Sequence, residues 1–312
     1  MAAALDANWL RKLRASANTP PLRPRVPLWA GESAIGSVEP DFLSQKALEP
    51  LFYGREQLLK KERPSTLGWR LLGDVSTSLD QLAKALHSAN LGGAWRGEQL
   101  AVHDQFGHLK GTIERAAVRP LGIATQAVHL AARTTDGRHW VQQRALTKSN
   151  DPGLWDTLMG GMVSSAETLD SALERETWEE AGLKLEQLQS LARGGVLTIR
   201  KPAIDGDGAG YVVEDIDWYT CTLPDDVVPV NQDGEVAQFN LMTSDEVIAA
   251  MQRGEFTTEA ALILVEVLLI RPCEVRTSLS VRPELVEGFP VASGTSTLRQ
   301  AQDGPGSART EM

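Results

Sequence analysis

The sequence predicts an α+β chain in which a mixed sheet is packed between helices, preceded by a smaller α+β unit. Two observations carry this. Apolar stretches with strand-like patterning, bounded by turn residues, recur at 98–104, 108–116, 122–132, 138–146, 194–200, 210–223 and 235–242. Stretches with helical apolar spacing separate and close them, at 39–52, 76–91, 169–181, 244–253 and 257–270. Several strands interleaved with a few helices bury their apolar faces best as a sheet between helical layers.

Taken in order, MAAALDANWLRKLRAS (1–16) has helical spacing and some basic residues. Asp6 and the lack of a long apolar segment favour a surface helix over a transit peptide. Residues 18–30, NTPPLRPRVPLWA, read as a proline-rich extended connection. An accessory α+β domain is expected over 31–118. It has helices at 39–52 and 76–91, the second capped by Ser76 or Ser78, then a hairpin turning at Gln105-Phe106-Gly107.

A second domain is expected over 119–272. Its first two strands join at Asp136-Gly137, and its last helix contains the apolar run AALILVEVLLI. That run is too short to span a membrane and carries Glu266. DGDGAG (205–210) hints at a calcium loop, but Ile216 stands where the bidentate Glu belongs, so a mobile loop is expected. The tail, 273–312, is rich in Ser, Thr, Gly, Pro and Arg and is expected to be disordered. Its PELVEG (283–288) and LRQAQ (298–302) are what opposite strands of one DNA stretch encode, so it reads as a translated inverted repeat.

Composition bounds the function. The 312 residues carry a formal net charge of −10, which argues against general nucleic-acid binding but not against a phosphorylated substrate. Two cysteines, Cys221 and Cys273, show no metal or disulfide spacing. No membrane partner is expected, and a reducing, cytoplasmic location fits.

The chemistry is concentrated in GGMVSSAETLDSALERETWEEAGL, residues 160–183. On a helix, Glu176, Glu179 and Glu180 fall at i, i+3 and i+4 and share one face. Like charges so close raise each other's pKa, and a divalent cation relieves them. Hard oxygen ligands without Cys or His suit Mg²⁺ or Mn²⁺. Gly160-Gly161 lets backbone approach a metal, with a carbonyl free to join the shell. Gly182 lies where the helix would end. Glu167 lies near the helix start, where a carboxylate is favourable, and Arg175 is placed to orient Glu179. A solvated acidic helix face is the plain alternative.

Gly161, Glu167, Arg175-Glu176, Glu179-Glu180 and Gly182-Leu183 resemble the Nudix box, GX5EX7REUXEEXGU, with Thr177 where an aliphatic residue is usual. The resemblance implies a Nudix α/β/α sandwich and hydrolysis of a diphosphate linked to another group. Glu176, Glu179 and Glu180 then match the metal-binding glutamates, with Glu167 and Arg175 bracing them. A bound water is deprotonated by a carboxylate, for which Glu180, Glu176 and Glu235 all stand open. Glu235, just before the strand VAQFNLM, matches a place where some Nudix enzymes keep an extra metal-binding Glu, and is equally readable as a solvated turn residue.

Arg119, Gly122, Ile123, Trp140, Arg144 and Lys148 extend a similarity to a Nudix subgroup with an N-terminal accessory domain, over about residues 30–270. That subgroup implies hydrolysis of thiamine diphosphate, or its oxidised oxo and oxy analogues, to the monophosphate. A nucleotide diphosphate such as ADP-ribose or NADH is the alternative substrate, and a non-catalytic binding module a third reading. Arg144 and Lys148 either bind the diphosphate or are surface charge. His129 reads as a packed core histidine. Trp140, Trp155, Trp178 and Trp218 read as buried more readily than as stacking platforms. The accessory domain could cover the pocket or form a homodimer contact.

Overall fold

The structure is a computed structural model and describes residues 5–52, 57–62, 68–203 and 210–269. The tail expected from 273 and the loop expected at 205–210, Gly210 apart, lie outside these residues. The described residues belong to one compact unit, Met1–Arg271.

The chain opens with helix α1 (Ala7–Ser16), started by the Asp6 carboxylate, which accepts from Trp9 N at 2.6 Å. Strands β1 (Val26–Ala30), β2 (Ser33–Val38), β3 (Leu59–Glu62) and β4 (Gly68–Leu71) form a sheet in the order β2-β1-β4-β3. This sheet was not expected. Its first strand falls inside the stretch read as a proline-rich connection. Pro27 is tolerated because pairing with β4 begins only at Leu28, so no ladder needs its missing N–H on that side.

The helix expected at 39–52 is instead two short 3₁₀ segments, Phe42–Ser44 and Lys46–Phe52. Gln45 between them is extended, and Pro50 removes a donor that an α-helix would use. Helix α2 (Val75–Ser88) forms as expected, but Asp74 caps it, accepting from Thr77 N at 2.9 Å. Ser76 instead accepts from Thr112 N, and Ser78 donates to the Leu72 carbonyl. The hairpin follows as β5 (Gln99–His103) and β6 (Leu109–Glu114). Val26, Leu28, Leu43, Trp69, Leu79 and Leu82 belong to a core drawn almost wholly from residues 26–123.

The large sheet contains β7 (Ala124–Thr134), β8 (His139–Arg144), β9 (Trp155–Asp156), β10 (Met159–Met162), β11 (Gln189–Pro202), β12 (Tyr211–Leu223) and β13 (Val236–Met242). Its order is β11-β12-β7-β8-β13, with β10 on β7 and β9 on β8. β7 and β12 run parallel and the other pairs antiparallel. Helix α3 (Leu169–Ala181) lies between β10 and β11; α4 (Ser244–Gln252) and α5 (Thr258–Leu269) follow β13.

β7 is covered on both faces. Val128, Leu130 and Ala132 meet Ala172, Leu173 and Ala181 of α3 in one core. Ala127 and Ala131 join Ala260, Ala261 and Leu264 of α5 in another. Alternation along one strand thus sorts the two helices to opposite faces, giving an α/β/α sandwich. Among the described residues no helix is long and apolar enough to cross a membrane.

Candidate active site

β7 is the pivot of the site. It touches β8 only at Ala132 and Arg133, while β10 occupies its flank from Ala127 to Leu130. The sheet therefore opens between β7 and β8, and the β9–β10 segment fills the gap. β10 delivers Gly160 and Gly161 to the start of the loop before α3. A methyl group on Gly161 would overlap the Glu176 carboxylate outright, so only glycine lets that side chain lie against the strand.

Thr168 caps α3, its hydroxyl accepting from Ser171 N while Ser171 Oγ accepts from Thr168 N at 2.9 Å. Gly182 ends it at φ +65°, where an added Cβ would also meet the Val230 carbonyl at 2.5 Å. Trp178 is 48% exposed rather than buried, because it points away from the sheet. Thr177 is fully buried, and its hydroxyl has no partner.

Glu167 directly precedes the Thr168 cap of α3. Its carboxylate takes Arg175 Nε at 2.6 Å and Nη2 at 3.0 Å, plus Ser164 N at 3.0 Å. The arginine bonds, then those from Ser164, hold its pKa down at about 2 against the cost of burial. Arg175 also gives Nη1 to Glu176 at 2.7 Å and Glu179 at 2.9 Å, and Nη2 to the Met162 carbonyl at 3.0 Å. One guanidinium thus ties three carboxylates to the strand, and those contacts, led by Glu167, raise its pKa further.

Glu180 is 1% exposed. It accepts from Gln142 Nε2 at 2.8 Å, Gly160 N at 2.9 Å and Lys148 Nζ at 3.2 Å. Burial still raises its pKa. Burial, then Glu180, pushes Glu176 up to about 7 despite Arg175. Lys148 bridges Glu180 and Glu235. Burial works against its charge, but the two carboxylates outweigh that and raise its pKa. Glu235 is thereby drawn into the site, and its pKa is lowered by Lys148 against burial.

The clustered glutamates are therefore partly compensated by protein cations. Arg175 lies between Glu176 and Glu179, and Lys148 between Glu180 and Glu235. Among the described residues no group of three or more His, Cys, Asp or Glu side chains is arranged to hold a metal ion. The donor chemistry nonetheless suits a hard divalent cation: three carboxylates, no sulfur, and two of the carboxyls held well above their ordinary pKa.

Arg144 is half-buried and fastened into the framework. It donates to Asp156 at 3.3 Å and to the Asn150 carbonyl at 3.1 and 3.2 Å. His129 is 8% exposed and bonds through Nδ1 to Thr157 Oγ1 at 2.9 Å, in keeping with a packed histidine that also faces the cavity.

These groups share one cavity of about 660 Å³. Glu176, Glu179, Glu235 and Arg175 line it, together with Arg144 and Lys148. Among the lining residues that sequence reasoning missed are four charged side chains. Glu214 and Glu259 come from β12 and α5, and nothing in the spacing of these distant residues joins them. Arg96 and Arg115 come from the hairpin region, outside any motif.

Residues 124–262 match the family model described as NUDIX domain, and this segment is a Nudix domain. The chain is 27% identical over 210 residues to "Uncharacterized protein YJR142W" of Saccharomyces cerevisiae, covering 61% of this chain and 60% of that protein. It is 31% identical over 169 residues to Nudix hydrolase 24, chloroplastic, of Arabidopsis thaliana, covering 52% of this chain and 45% of that protein. Nudix hydrolase 20, chloroplastic, of the same plant is 30% identical over 169 residues, at 52% and 44%. The chain spans 44% to 60% of the length of these relatives. Among solved structures, DR0079 from Deinococcus radiodurans is 22% identical with a TM-score of 0.43, covering 54% of this chain and 98% of that chain.

Proposed function

We propose that this chain is a Mg²⁺-dependent hydrolase that cleaves thiamine diphosphate, or its oxidised oxo and oxy analogues, to the monophosphate and phosphate. The observation that carries the hydrolytic part is the shared cavity. Glu176, Glu179, Arg144 and Lys148 all line it, and Lys148 reaches the buried Glu180 at 3.2 Å. Carboxylates for a metal and cations for phosphate in one cavity are what diphosphate cleavage needs.

Glu176, Glu179 and Glu180 would hold the Mg²⁺ or Mn²⁺, with a carbonyl of the Gly160-Gly161 strand as a further donor. A divalent ion there supplies charge neutralisation at the diphosphate and acidifies water. The chain's own work is positional. Arg175 fixes Glu167, Glu176 and Glu179 as one unit. Gly160 N and Gln142 aim Glu180. Lys148 and Arg144 take phosphate oxygens, and one of Glu176, Glu180 and Glu235 accepts the proton of the attacking water. The water oxygen bonds to one phosphorus, the P–O–P bridge breaks, and monophosphate and orthophosphate leave.

Glu214 and Glu259 support the thiamine-type substrate. They lie on the cavity wall near His129, and Glu214 is held by Thr125 at 3.1 Å while Glu259 takes Lys201 at 2.7 Å. Burial, then Glu259, raises the Glu214 pKa. Carboxyl groups so placed suit the cationic ring and the amino group of thiamine diphosphate itself. The accessory-domain reading of 31–118 is supported by the separate core of residues 26–123.

Incubation of the full chain and Mg²⁺ with thiamine diphosphate, its oxo and oxy forms, ADP-ribose and NADH tests this, with products separated by chromatography. Preferred conversion of the thiamine compounds to monophosphates is expected. Preference for ADP-ribose or NADH removes the substrate assignment and leaves diphosphate hydrolysis standing.

A further inference from the structure

The cavity wall extends beyond the Nudix segment. Arg96 and Arg115 line it, yet both precede residue 124, where the family match begins. We propose that Arg96 and Arg115 form a subsite for the terminal phosphate of the substrate, so that the residues before the Nudix segment select a terminal diphosphate over one bridging two organic groups. The inference rests on the diphosphate-hydrolase reading.

The wall is built rather than draped. Arg96 sits in a loop fastened to β6: its N–H donates to Glu114 at 2.8 Å, Gly93 N donates to the Ala116 carbonyl at 2.8 Å, and Arg115 N donates to the Glu98 carbonyl at 2.9 Å. Glu114 is fully buried, so the anchor is shielded from water. The hairpin is latched in turn to the loop before α3, where Ser165 N donates to the Gln99 carbonyl at 2.7 Å. Hairpin and glutamate helix are thus positioned against each other by backbone hydrogen bonds.

The side chains join the cavity that the glutamates line. Arg96 Nη2 donates to Ser149 Oγ at 3.2 Å, one residue beyond Lys148. Arg115 is held by Glu98 at 2.8 Å. Both line the same cavity as Lys148 and Glu235.

The chemistry decides between substrate types. A terminal phosphate carries about −1.5 to −2 charge near neutral pH and three acceptor oxygens. A bridging phosphate carries a single charge and is followed by a second organic group. Two guanidiniums, each a planar fork of donors, match the first, whereas the second puts an organic group where the terminal phosphate would lie.

The test uses the full chain with Arg96→Gln, Arg115→Gln and the double variant. Arg96 is exposed, so its single variant keeps the fold. With Mg²⁺, the double variant should raise KM for thiamine diphosphate by about 10-fold or more while kcat changes far less. Arg115→Lys should recover part of the loss, and ADP-ribose kinetics should not move. Calorimetric binding of inorganic phosphate, which needs no turnover, should weaken by about the same factor. Unchanged KM with unchanged phosphate affinity overturns the proposal, as does an equal rise in KM for ADP-ribose. If the wild-type chain turns over no diphosphate, the hydrolase reading fails. Phosphate affinity then decides the arginines alone: weakened in the variants, it supports the subsite; unchanged, it overturns it.

Discussion

Replacing Lys148 with Met keeps the stem and deletes the ammonium. In the wild-type protein that ammonium stands 3.2 Å from Glu180, which is 1% exposed. At an effective dielectric near 20 the attraction is about 5 kcal/mol. Part of the loss is offset because Glu180 keeps Gln142 and Gly160 N as donors, and because Lys148 no longer pays its own desolvation. Removing one partner of a buried pair costs about 3 to 5 kcal/mol, and the lower end is expected here. The loss depends on pH. Without Lys148 the Glu180 pKa rises further, so the variant sheds stability as pH climbs above the ordinary carboxylate range and is least affected near pH 5. Mg²⁺ should return most of the loss at pH 8, since a divalent cation replaces the ammonium. Urea unfolding of both proteins at pH 5 and pH 8, with and without Mg²⁺, measures all of this. A loss under about 1 kcal/mol at pH 8, or a loss that Mg²⁺ leaves untouched, refutes the reasoning.

Three further outcomes are expected. Gly161→Ala forces the Glu176 carboxylate off the strand and away from Arg175, so kcat/KM should fall about 100-fold with the fold retained; near-wild-type turnover would show that Glu176 need not sit there. Thr177→Val replaces a buried hydroxyl without a partner by a methyl group and should stabilise by about 1 kcal/mol in urea unfolding, whereas destabilisation would mean the hydroxyl is bonded. His139 is 1% exposed, and burial, then Arg133, lowers its pKa from 6.5 to about 4. The unfolded chain therefore binds a proton first, and stability should fall by about 3 kcal/mol between pH 6.5 and pH 4 from this group alone; His139→Gln should flatten that limb, and an unchanged slope would exclude it.

The glutamate helix and the sandwich around it were legible because their signals are local or periodic. Glu176, Glu179 and Glu180 declare a helical face, and Gly182 declares its end. The α2 cap went wrong because Asp74, Ser76 and Ser78 crowd one turn, and only tertiary contact shows that the serines bond elsewhere. β1 hid behind Pro27, and β9 and β10 are too short to show any period. Half of β11 is exposed and lacks alternation, so only Gly194 to Arg200 read as strand. The largest gap concerned charge. Lys148 and Arg175 partly compensate the glutamates, and Arg96, Arg115, Glu214 and Glu259 enter the cavity from distant segments. One-dimensional spacing carries no trace of such convergence.

Turnover by the wild-type chain and by the Glu179→Gln, Glu180→Gln double variant, each with and without Mg²⁺, tests the central claim most directly. The account predicts that the wild type releases phosphate from a diphosphate only with the metal, and that the folded variant loses at least about 1,000-fold. Turnover that persists in the variant, or that needs no divalent ion, would contradict it.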